Sequence, residues 1–220
     1  MLDSYVSRTT RWLDLGCGHN LLPAWLPASQ IEESIIIDKA DLVVGIDADV
    51  ASLRQHNSLT NKIAGDIESL PFKDESFSLV TANVVIEHVK SPDLLLAEVR
   101  RVLRPNGLFI FHTPNAISYA TAIAKIIPEP LKIRLVALLQ NREARDVYPT
   151  CYRMNTRRTI ERLARQHGLK VLNLNMVESS AQTVALGPIV LLELLLIKGL
   201  RSRWLCNFRT NIIAVLQRAQ

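Results

Sequence analysis

The alternation of short apolar runs with helical patterns between residues 11 and 113 most constrains what this chain can fold into. Each run is rich in branched or apolar residues and ends at Gly, Asp, Asn or His. Such runs are typical of strands buried on both faces, which feed functional loops at their carboxyl ends. The predicted strands are 12–15, 42–46, 63–65, 79–82 and 108–111. The sequence therefore predicts an α/β, doubly wound fold with a parallel sheet.

The helical patterns lie between these strands and continue beyond them. Residues 51–58 and 93–103 are predicted helices, the second with Ser91 as N-cap, Pro92 in its first turn and an RPNG turn at 104–107 before the next strand. Beyond residue 115 the predicted elements are helices 117–127, 131–140 and 156–167 and strands 170–175 and 211–217. Together they predict a mostly parallel, seven-stranded sheet with helical insertions in the C-terminal half, formed by residues 1–220 as a single domain.

Composition excludes several classes of protein. With 48% apolar and 21% charged residues the chain is neither disordered nor a small stapled scaffold. Cys17, Cys151 and Cys206 are too far apart for a CxxC metal clip or a disulfide framework, so no metal site is predicted. That cysteine usage, together with a start that lacks a secretory pattern, predicts a cytoplasmic location.

Charge is unevenly distributed along the chain. Residues 1–120 carry 10 basic and 15 acidic side chains, whereas residues 121–220 carry 16 and 6. The basic half fits either an anionic partner, such as phospholipid headgroups, or a set of solvated helix faces. Because aromatic residues are not interleaved with the basic ones, no nucleic acid partner is expected.

The sharpest motif is WLDLGCGHN at residues 12–20, where a predicted strand ends in a Gly-x-Gly turn. Gly16 and Gly18 allow positive φ angles and a close approach of the backbone to a ligand. The third glycine of a dinucleotide fingerprint is missing, which disfavours a nicotinamide-dependent oxidoreductase.

Acidic residues then follow successive strands. Asp14 lies in the first motif, Asp47 in VVGIDAD and Asp66 in AGDIESLPF. A carboxylate after the second strand suits a ribose diol, because it can accept hydrogen bonds from both hydroxyls. Asp38 lies 20 residues after Gly18, which is the spacing of the acidic residue in a dinucleotide fingerprint. We nevertheless prefer Asp47, because an apolar strand leads directly into it.

These residues resemble the class I S-adenosylmethionine-dependent methyltransferases, in their small-molecule branch. The resemblance runs through LDLGCG, VVGIDAD, AGDIESLPFKDESFSLVTANVVIEHV and EVRRVLRPNGLFIFHTPN. YPTCYRMNTRRTIERLARQHGLKV and IIAVLQR are similar to the family's last strand regions. The resemblance implies a Rossmann-like fold, S-adenosylmethionine as cofactor, a cofactor-binding core at 11–115 and a helical lid at 116–150 and 176–205.

The resemblance also implies roles for individual residues. Four of them would hold the methionine moiety of the cofactor: Asp14, Gly16, Cys17 and Gly18. Asp47 would bind the ribose hydroxyls, and Ala48 would line the adenine. Asp66 would accept a hydrogen bond from the adenine amino group, with Ile67 supplying a backbone donor and a ring contact. Asn83 would face the methyl group.

The resemblance implies methyl transfer by in-line displacement to a small-molecule or lipid-like acceptor; a catalytically inactive binding or regulatory module is the alternative. No catalytic residue is assigned. His112 is a candidate general base, although a structural role is more common for such a histidine. The Glu87–His88 pair looks like the Glu-His pair of the family, and a structural role is again the more common one. Tyr148, Tyr152 and Arg153 are candidates to line the acceptor pocket.

An apolar segment at 184–200 has two interpretations that the sequence leaves open. Its predicted helix, 188–198, is apolar nearly all round, with Glu193 as its one interior charge. Such a helix is usually buried in a core or in an oligomer interface. Alternatively, with Lys198, Arg201 and Arg203 at its end, residues 184–203 would contact a membrane peripherally.

Overall fold

A computed structural model of the protein describes residues 2–21, 29–126, 149–178, 189–202 and 204–220. Its seven strands form one sheet in the order β3-β2-β1-β4-β5-β7-β6. The strands are β1 (Arg11–Leu15), β2 (Leu42–Asp47), β3 (Asn61–Ala64), β4 (Phe77–Asn83), β5 (Leu103–Pro114), β6 (Leu169–Val177) and β7 (Asn211–Arg218). β1 to β5 are parallel to one another, and β7 is antiparallel to both of its neighbours. The predicted mostly parallel, doubly wound sheet is thus confirmed.

Helices cover both faces of this sheet. They are α1 (Ser29–Lys39), α2 (Val50–Gln55), α3 (Pro92–Val102), α4 (Tyr119–Ile126), α5 (Arg157–Gln166) and α6 (Ile189–Leu200). One face forms a core with α3 and α5, and the other forms a second core in which Leu53 of α2 is buried and α1 is packed at the edge. The predicted helix at 131–140 and Tyr148 lie outside the described residues.

Alternating residues of the central strands feed the two cores. Leu13 and Leu15 of β1 point into the first core, whereas Trp12 points into the second. These side chains are at most 1% exposed, and each buried side chain of this size contributes about 1.5–3 kcal/mol. Because β1 is covered on both faces, its carboxyl end is held rigidly at the centre of the sheet.

The RPNG prediction is wrong about where the fifth strand begins. β5 starts at Leu103, which pairs with Phe77, and Leu108 then pairs with Leu79. Residues 104–107 therefore bulge out within the strand, and Asn106 takes a positive φ of 64° there. The bulge keeps both of its ends in the sheet, so these residues belong to β5 and do not form a turn before it.

The start of α3 differs in its capping chemistry from the expected pattern. Ser91 is the N-cap residue and Pro92 is in the first turn, yet the Ser91 side chain makes no capping hydrogen bond. Instead, the Oε1 atom of Glu68 accepts hydrogen bonds from the backbone N–H groups of Lys90 and Ser91, at 2.9 and 2.8 Å. The carboxylate therefore ties the loop after β3 to the N-terminus of α3, where negative charge is favourable.

Candidate active site

Four neighbouring parallel strands bring predicted site residues to one edge of the sheet. Asp14 is the penultimate residue of β1, Asp47 ends β2, and Asn83 ends β4. Asn83 pairs with His112 of β5 across the β4–β5 ladder. The carboxyl ends of parallel strands are where ligands bind in open α/β sheets, particularly where the strand order reverses. That reversal lies here between β1 and β4.

The glycine loop after β1 needs its two glycines for different reasons. Gly16 and Gly18 have φ angles of 62° and 52°, in the left-handed region. A Cβ atom on Gly16 would lie 2.4 Å from Cγ2 of Val85, inside the contact distance of any two carbon atoms. A Cβ atom on Gly18 would meet nothing within 4 Å. Gly16 is therefore a packing requirement, whereas Gly18 borders open space.

Cys17 turns its side chain away from this open space. The thiol is buried against β2, where a Cβ atom on Gly45 would lie 2.6 Å from the Cys17 Sγ atom. Burial is the main cause that raises the pKa of the thiol, so Cys17 stays protonated. Only the backbone of Cys17 is left for the role that the resemblance implies.

Asp47 connects the glycine loop to the end of β2. Its Oδ2 atom accepts a hydrogen bond from the Gly18 N–H at 2.8 Å, and its Oδ1 atom accepts one from the Asp49 N–H at 2.8 Å. Each carboxylate oxygen has two lone pairs, so both oxygens keep capacity for a ligand. Asp38, the rival in the sequence, lies within α1 as an exposed residue. The structure thus places Asp47, and not Asp38, beside the glycine loop.

The next strand adds Asp66 and its neighbours to the same edge. Ala64, the last residue of β3, pairs with Asp47, and the Gly65 N–H donates to the Asp47 carbonyl at 3.0 Å. Asp66 is exposed, and its Oδ1 atom accepts from the Glu68 N–H at 2.8 Å. Ala48 is also exposed, while a partly buried Ile67 packs against the core.

Asp14 belongs to a buried hydrogen-bond chain. The Trp12 Nε1–H donates to the Thr81 hydroxyl oxygen at 2.6 Å, so the hydroxyl proton is free to be donated to the Asp14 carboxyl. Burial is the largest of several effects that together raise the pKa of Asp14 from 3.8 to about 7. The Thr81 hydrogen bond opposes this rise, whereas nearby Glu33 and Asp47 add to it. Asp14 therefore titrates near neutral pH, where a nearby cation would stabilise its charged form.

This pKa predicts how stability depends on pH. Between pH 3.8 and about 7 the folded chain keeps a proton on Asp14 that the unfolded chain releases, so Asp14 lowers stability as pH rises through this window. Asp14→Asn removes this titration. In urea unfolding without ligand, we expect the stability of the variant relative to the wild type to increase with pH across the window. Parallel stability curves for the two proteins would contradict the assignment.

Asn83 and His112 meet across the β4–β5 ladder at the same edge of the sheet. The His112 Nδ1 atom lies 2.9 Å from the Asn83 Oδ1 atom, which as an acceptor requires the proton on Nδ1. Burial lowers the pKa of His112, partly offset by a hydrogen bond with Asn211, so the ring is neutral at neutral pH. Val84 follows Asn83 and has a φ of 57°, which is strained for a β-branched residue. Its N–H donates to the His112 carbonyl at 2.9 Å.

Glu87 and His88 hold a second segment against this edge. Glu87 is buried, its carboxylate accepts from the Thr113 hydroxyl at 3.1 Å, and its carbonyl accepts from the Cys151 N–H at 2.6 Å. The His88 Nδ1 atom lies 2.9 Å from the carbonyl oxygen of Pro149. These contacts fix residues 149–152 beside β4 and β5, which is a structural role for the pair. Tyr152 is thereby held near the edge.

Sequence reasoning missed the residues that support the site from behind. Trp12 and Thr81 orient Asp14, and Val85 and Gly45 set the space around the glycine loop. The alternation of β1 places Trp12 and Asp14 on one face, which was a usable signal. The partner strand, and hence Thr81, depends on the strand order that only the structure gives.

Comparison with known proteins agrees with this arrangement. Residues 13–111 match the family described as methyltransferase domain. A probable S-adenosylmethionine-dependent methyltransferase from Mycolicibacterium smegmatis is 32% identical over 111 residues, which are 49% of this chain and 39% of that protein. A demethylmenaquinone methyltransferase from Mycobacterium tuberculosis is 31% identical over 153 residues, which are 64% of this chain and 62% of that protein. The chain thus spans less than two thirds of the length of these relatives.

A solved structure extends the similarity of the fold to nearly the whole chain. The S-adenosylmethionine-dependent methyltransferase from Mesorhizobium loti superposes with a TM-score of 0.62, covering 97% of this chain and 92% of that one. At 17% sequence identity this shows the fold. Over residues 13–111 the chain is thus similar to the methyltransferase domain family, and it has the fold of an S-adenosylmethionine-dependent methyltransferase.

Proposed function

We propose that this protein transfers the methyl group of S-adenosylmethionine to a small-molecule or lipid-like acceptor. The observation that carries the proposal is the hydrogen bond from the Gly18 N–H to the Asp47 carboxylate, 2.8 Å long. This bond holds the Asp47 carboxylate, which would bind the ribose, and the glycine loop in one fixed arrangement, at the edge where ligands bind in such sheets. The bound cofactor would supply an already electrophilic methyl group.

The residues present fit this cofactor. Asp47 retains lone pairs for two ribose hydroxyls, and the space beside Gly18 is open to a ligand. The cofactor's methionine end carries an ammonium group. Because burial disfavours the ionised form of Asp14, a cation beside it would stabilise that form, and the two groups are therefore complementary. On the adenine side, Asp66 offers a carboxylate and Ala48 a small exposed surface.

The backbone of the glycine loop and the strand-end side chains would therefore orient the cofactor. Gly16, Cys17 and Gly18 would border the methionine moiety, and Ile67 would contact the adenine ring. Asn83, fixed by His112, would face the methyl group. Alignment of the acceptor with the transferred group can supply about 7–11 kcal/mol of the reduction in barrier, so no residue needs to form a bond with substrate.

His112 is the group best placed to take a proton from a hydroxyl acceptor. Its Nδ1–H donates to Asn83, so the neutral ring keeps its basic lone pair on Nε2. An acceptor that attacks as an anion would not need this step. The proton-transfer role therefore depends on the class of acceptor, and His112 would otherwise position Asn83.

The organisation and setting of the protein belong to the same proposal. Residues 11–115 would form the cofactor-binding core of a single domain, and 116–150 and 176–205 its lid. The demethylmenaquinone methyltransferase among its relatives supports a lipid-like acceptor. Such an acceptor favours a cytoplasmic protein in peripheral contact with a membrane. Nucleic acid would not be among its partners.

Calorimetric titration with S-adenosylmethionine, S-adenosylhomocysteine and NAD tests the proposal. We expect micromolar affinity for the first two and none for NAD. Product formation is then screened with quinone, lipid, sugar and other small acceptors. Binding of neither sulfur cofactor by the folded protein would contradict the proposal, and binding without turnover of any acceptor class would favour the inactive binding module.

A further inference from the structure

The helix α6 is oriented the opposite way from an ordinary surface helix. Its one acidic residue, Glu193, is only 7% exposed, whereas four of its leucines are exposed. Leu191 is 62% and Leu195 66% exposed, and Leu194 and Leu196 are also exposed. A helix on a water-facing surface buries its apolar side and exposes its charges. The outward face of α6 is therefore suited to an apolar environment.

This orientation is fixed by specific contacts. The Tyr119 hydroxyl, in the first turn of α4, donates to the Glu193 Oε1 atom at 3.0 Å. At the other end of α6, the Arg209 guanidinium donates to the carbonyl oxygens of Leu200 and Met176, each at 3.0 Å. The buried carboxylate cannot turn outward without losing its hydroxyl partner. The leucines are consequently held on the outside.

The segment that follows α6 in sequence also exposes apolar side chains, two of them aromatic. Trp204 is 91% exposed, and Leu205 and Phe208 are exposed beside it in sequence. Tryptophan prefers the boundary between hydrocarbon and water, because its ring is apolar while its N–H needs a polar partner. We call the surface formed by these residues the leucine–tryptophan patch; its members are Leu191, Leu194, Leu195, Leu196, Trp204, Leu205 and Phe208.

The exposed charges around the leucine–tryptophan patch are basic. Lys198 and Arg201 are both exposed, and between 189 and 209, apart from residue 203, the only acidic residue is the buried Glu193. Two copies of the patch facing each other would bring like charges together with no exposed acid from this segment to neutralise them. An anionic lipid surface complements both the apolar and the basic groups.

The length of α6 determines how it can meet a bilayer. Its 12 residues span about 18 Å, whereas the hydrocarbon core of a bilayer is about 30 Å thick. Among the described ranges, no helix is long and apolar enough to cross a membrane. The helix can lie in the plane of the interface, with its leucines in the acyl region and its basic end among the headgroups.

We propose that the leucine–tryptophan patch, with Lys198 and Arg201, docks the protein on an anionic phospholipid bilayer. Tyr119, which anchors α6, lies five residues after Pro114, where β5 ends, so docking would bring the site edge of the sheet toward the lipid. This deepens the peripheral membrane contact of the proposed function by naming the surface and the kind of lipid, but the docking itself rests on the surface alone and requires no cofactor.

Vesicle flotation tests the docking in the absence of cofactor. The probes are vesicles of phosphatidylcholine alone and of phosphatidylcholine mixed equally with phosphatidylglycerol. The wild-type protein should float with the mixed vesicles and be partly released by salt, since exposed basic residues contribute to the affinity. Leu191→Glu/Leu195→Glu should lose at least about tenfold in affinity, because two charges enter the hydrocarbon boundary. Lys198→Glu/Arg201→Glu should lose its preference for the anionic vesicles.

Leu94→Glu is the matched control, because Leu94 is also an exposed leucine on a helix but lies outside the patch. It should bind vesicles as the wild type does. Should the double leucine variant not fold, as judged by its thermal unfolding, Trp204→Ser tests the same surface at a side chain with few contacts to lose.

Wild-type protein that stays unbound to mixed vesicles would overturn the proposal, as would equal flotation of the wild type and the patch variants. A dimer in analytical ultracentrifugation that Leu191→Glu/Leu195→Glu dissociates, without vesicle binding, would also overturn it and assign the patch to a second copy. Because no cofactor is present, these outcomes are independent of whether the protein proves to be a methyltransferase.

Discussion

Replacing Asp47 with alanine should strongly weaken the binding of S-adenosylmethionine while leaving the protein folded. The variant loses the acceptors for two ribose hydroxyls and also the anchor of the Gly18 N–H. Hydrogen bonds to a charged group contribute about 1.5–3 kcal/mol each, so the loss of affinity should be about 100-fold or more. Titration calorimetry on the wild type and the variant measures this directly.

Asp38→Ala is the matched control for that experiment. Asp38 is an exposed carboxylate in α1 with the spacing that a dinucleotide rule would favour, yet the structure keeps it away from the glycine loop. We expect the affinity of the Asp38→Ala variant for S-adenosylmethionine to equal that of the wild type. If the two variants exchanged behaviour, the ribose-binding carboxylate would be Asp38 and the assignment of Asp47 would be wrong.

Gly16→Ala should produce the largest loss of stability among substitutions in the loop. The added Cβ atom would stand 2.4 Å from Cγ2 of Val85, in a backbone conformation with φ of 62°. The left-handed conformation costs about 1–2 kcal/mol for a residue other than glycine. Overpacking adds about 1–3 kcal/mol, so urea unfolding should show a loss of about 2–5 kcal/mol.

Two further variants separate strain from overlap. Gly18→Ala shares the left-handed backbone but meets no atom within 4 Å, so it should cost only about 1–2 kcal/mol of stability while filling the ligand space. In the double variant Gly16→Ala/Val85→Ala the overlap disappears, and the loss should be smaller than the sum of the single losses. Additive losses would show that Val85 does not limit the space at Gly16.

The sequence predicted the parts of the fold that depend on local pattern. Apolar runs ending at a polar residue located β1, β2, β4 and the second half of β5, because a strand buried on both faces has to be apolar throughout. The same pattern located Asp47 at a strand end, where the structure joins it to Gly18. Both inferences need only neighbouring residues.

Features that depend on distant parts of the chain escaped prediction. Thr81 meets Asp14 because β4 lies beside β1, although 67 residues separate the two in sequence. Val84 carries a left-handed backbone that no sequence rule assigns to valine, and it is held there by the carbonyl of His112. Leu191, Leu194, Leu195 and Leu196 of α6 are exposed while Tyr119 holds Glu193 inside. Each outcome is set by tertiary contacts that override local preference.

The position of β7 has a consequence for how the chain acquires its shape during synthesis. β7 lies between β5 and β6, although it is the last of the seven strands to be made. Until it emerges, β5 keeps an open edge and β6 has no strand beside it, and closing the sheet joins segments about a hundred residues apart. The last part of the sheet therefore forms late and slowly. Nascent chains halted before residue 211 should expose the unpaired backbone groups of β5, which chaperones recognise.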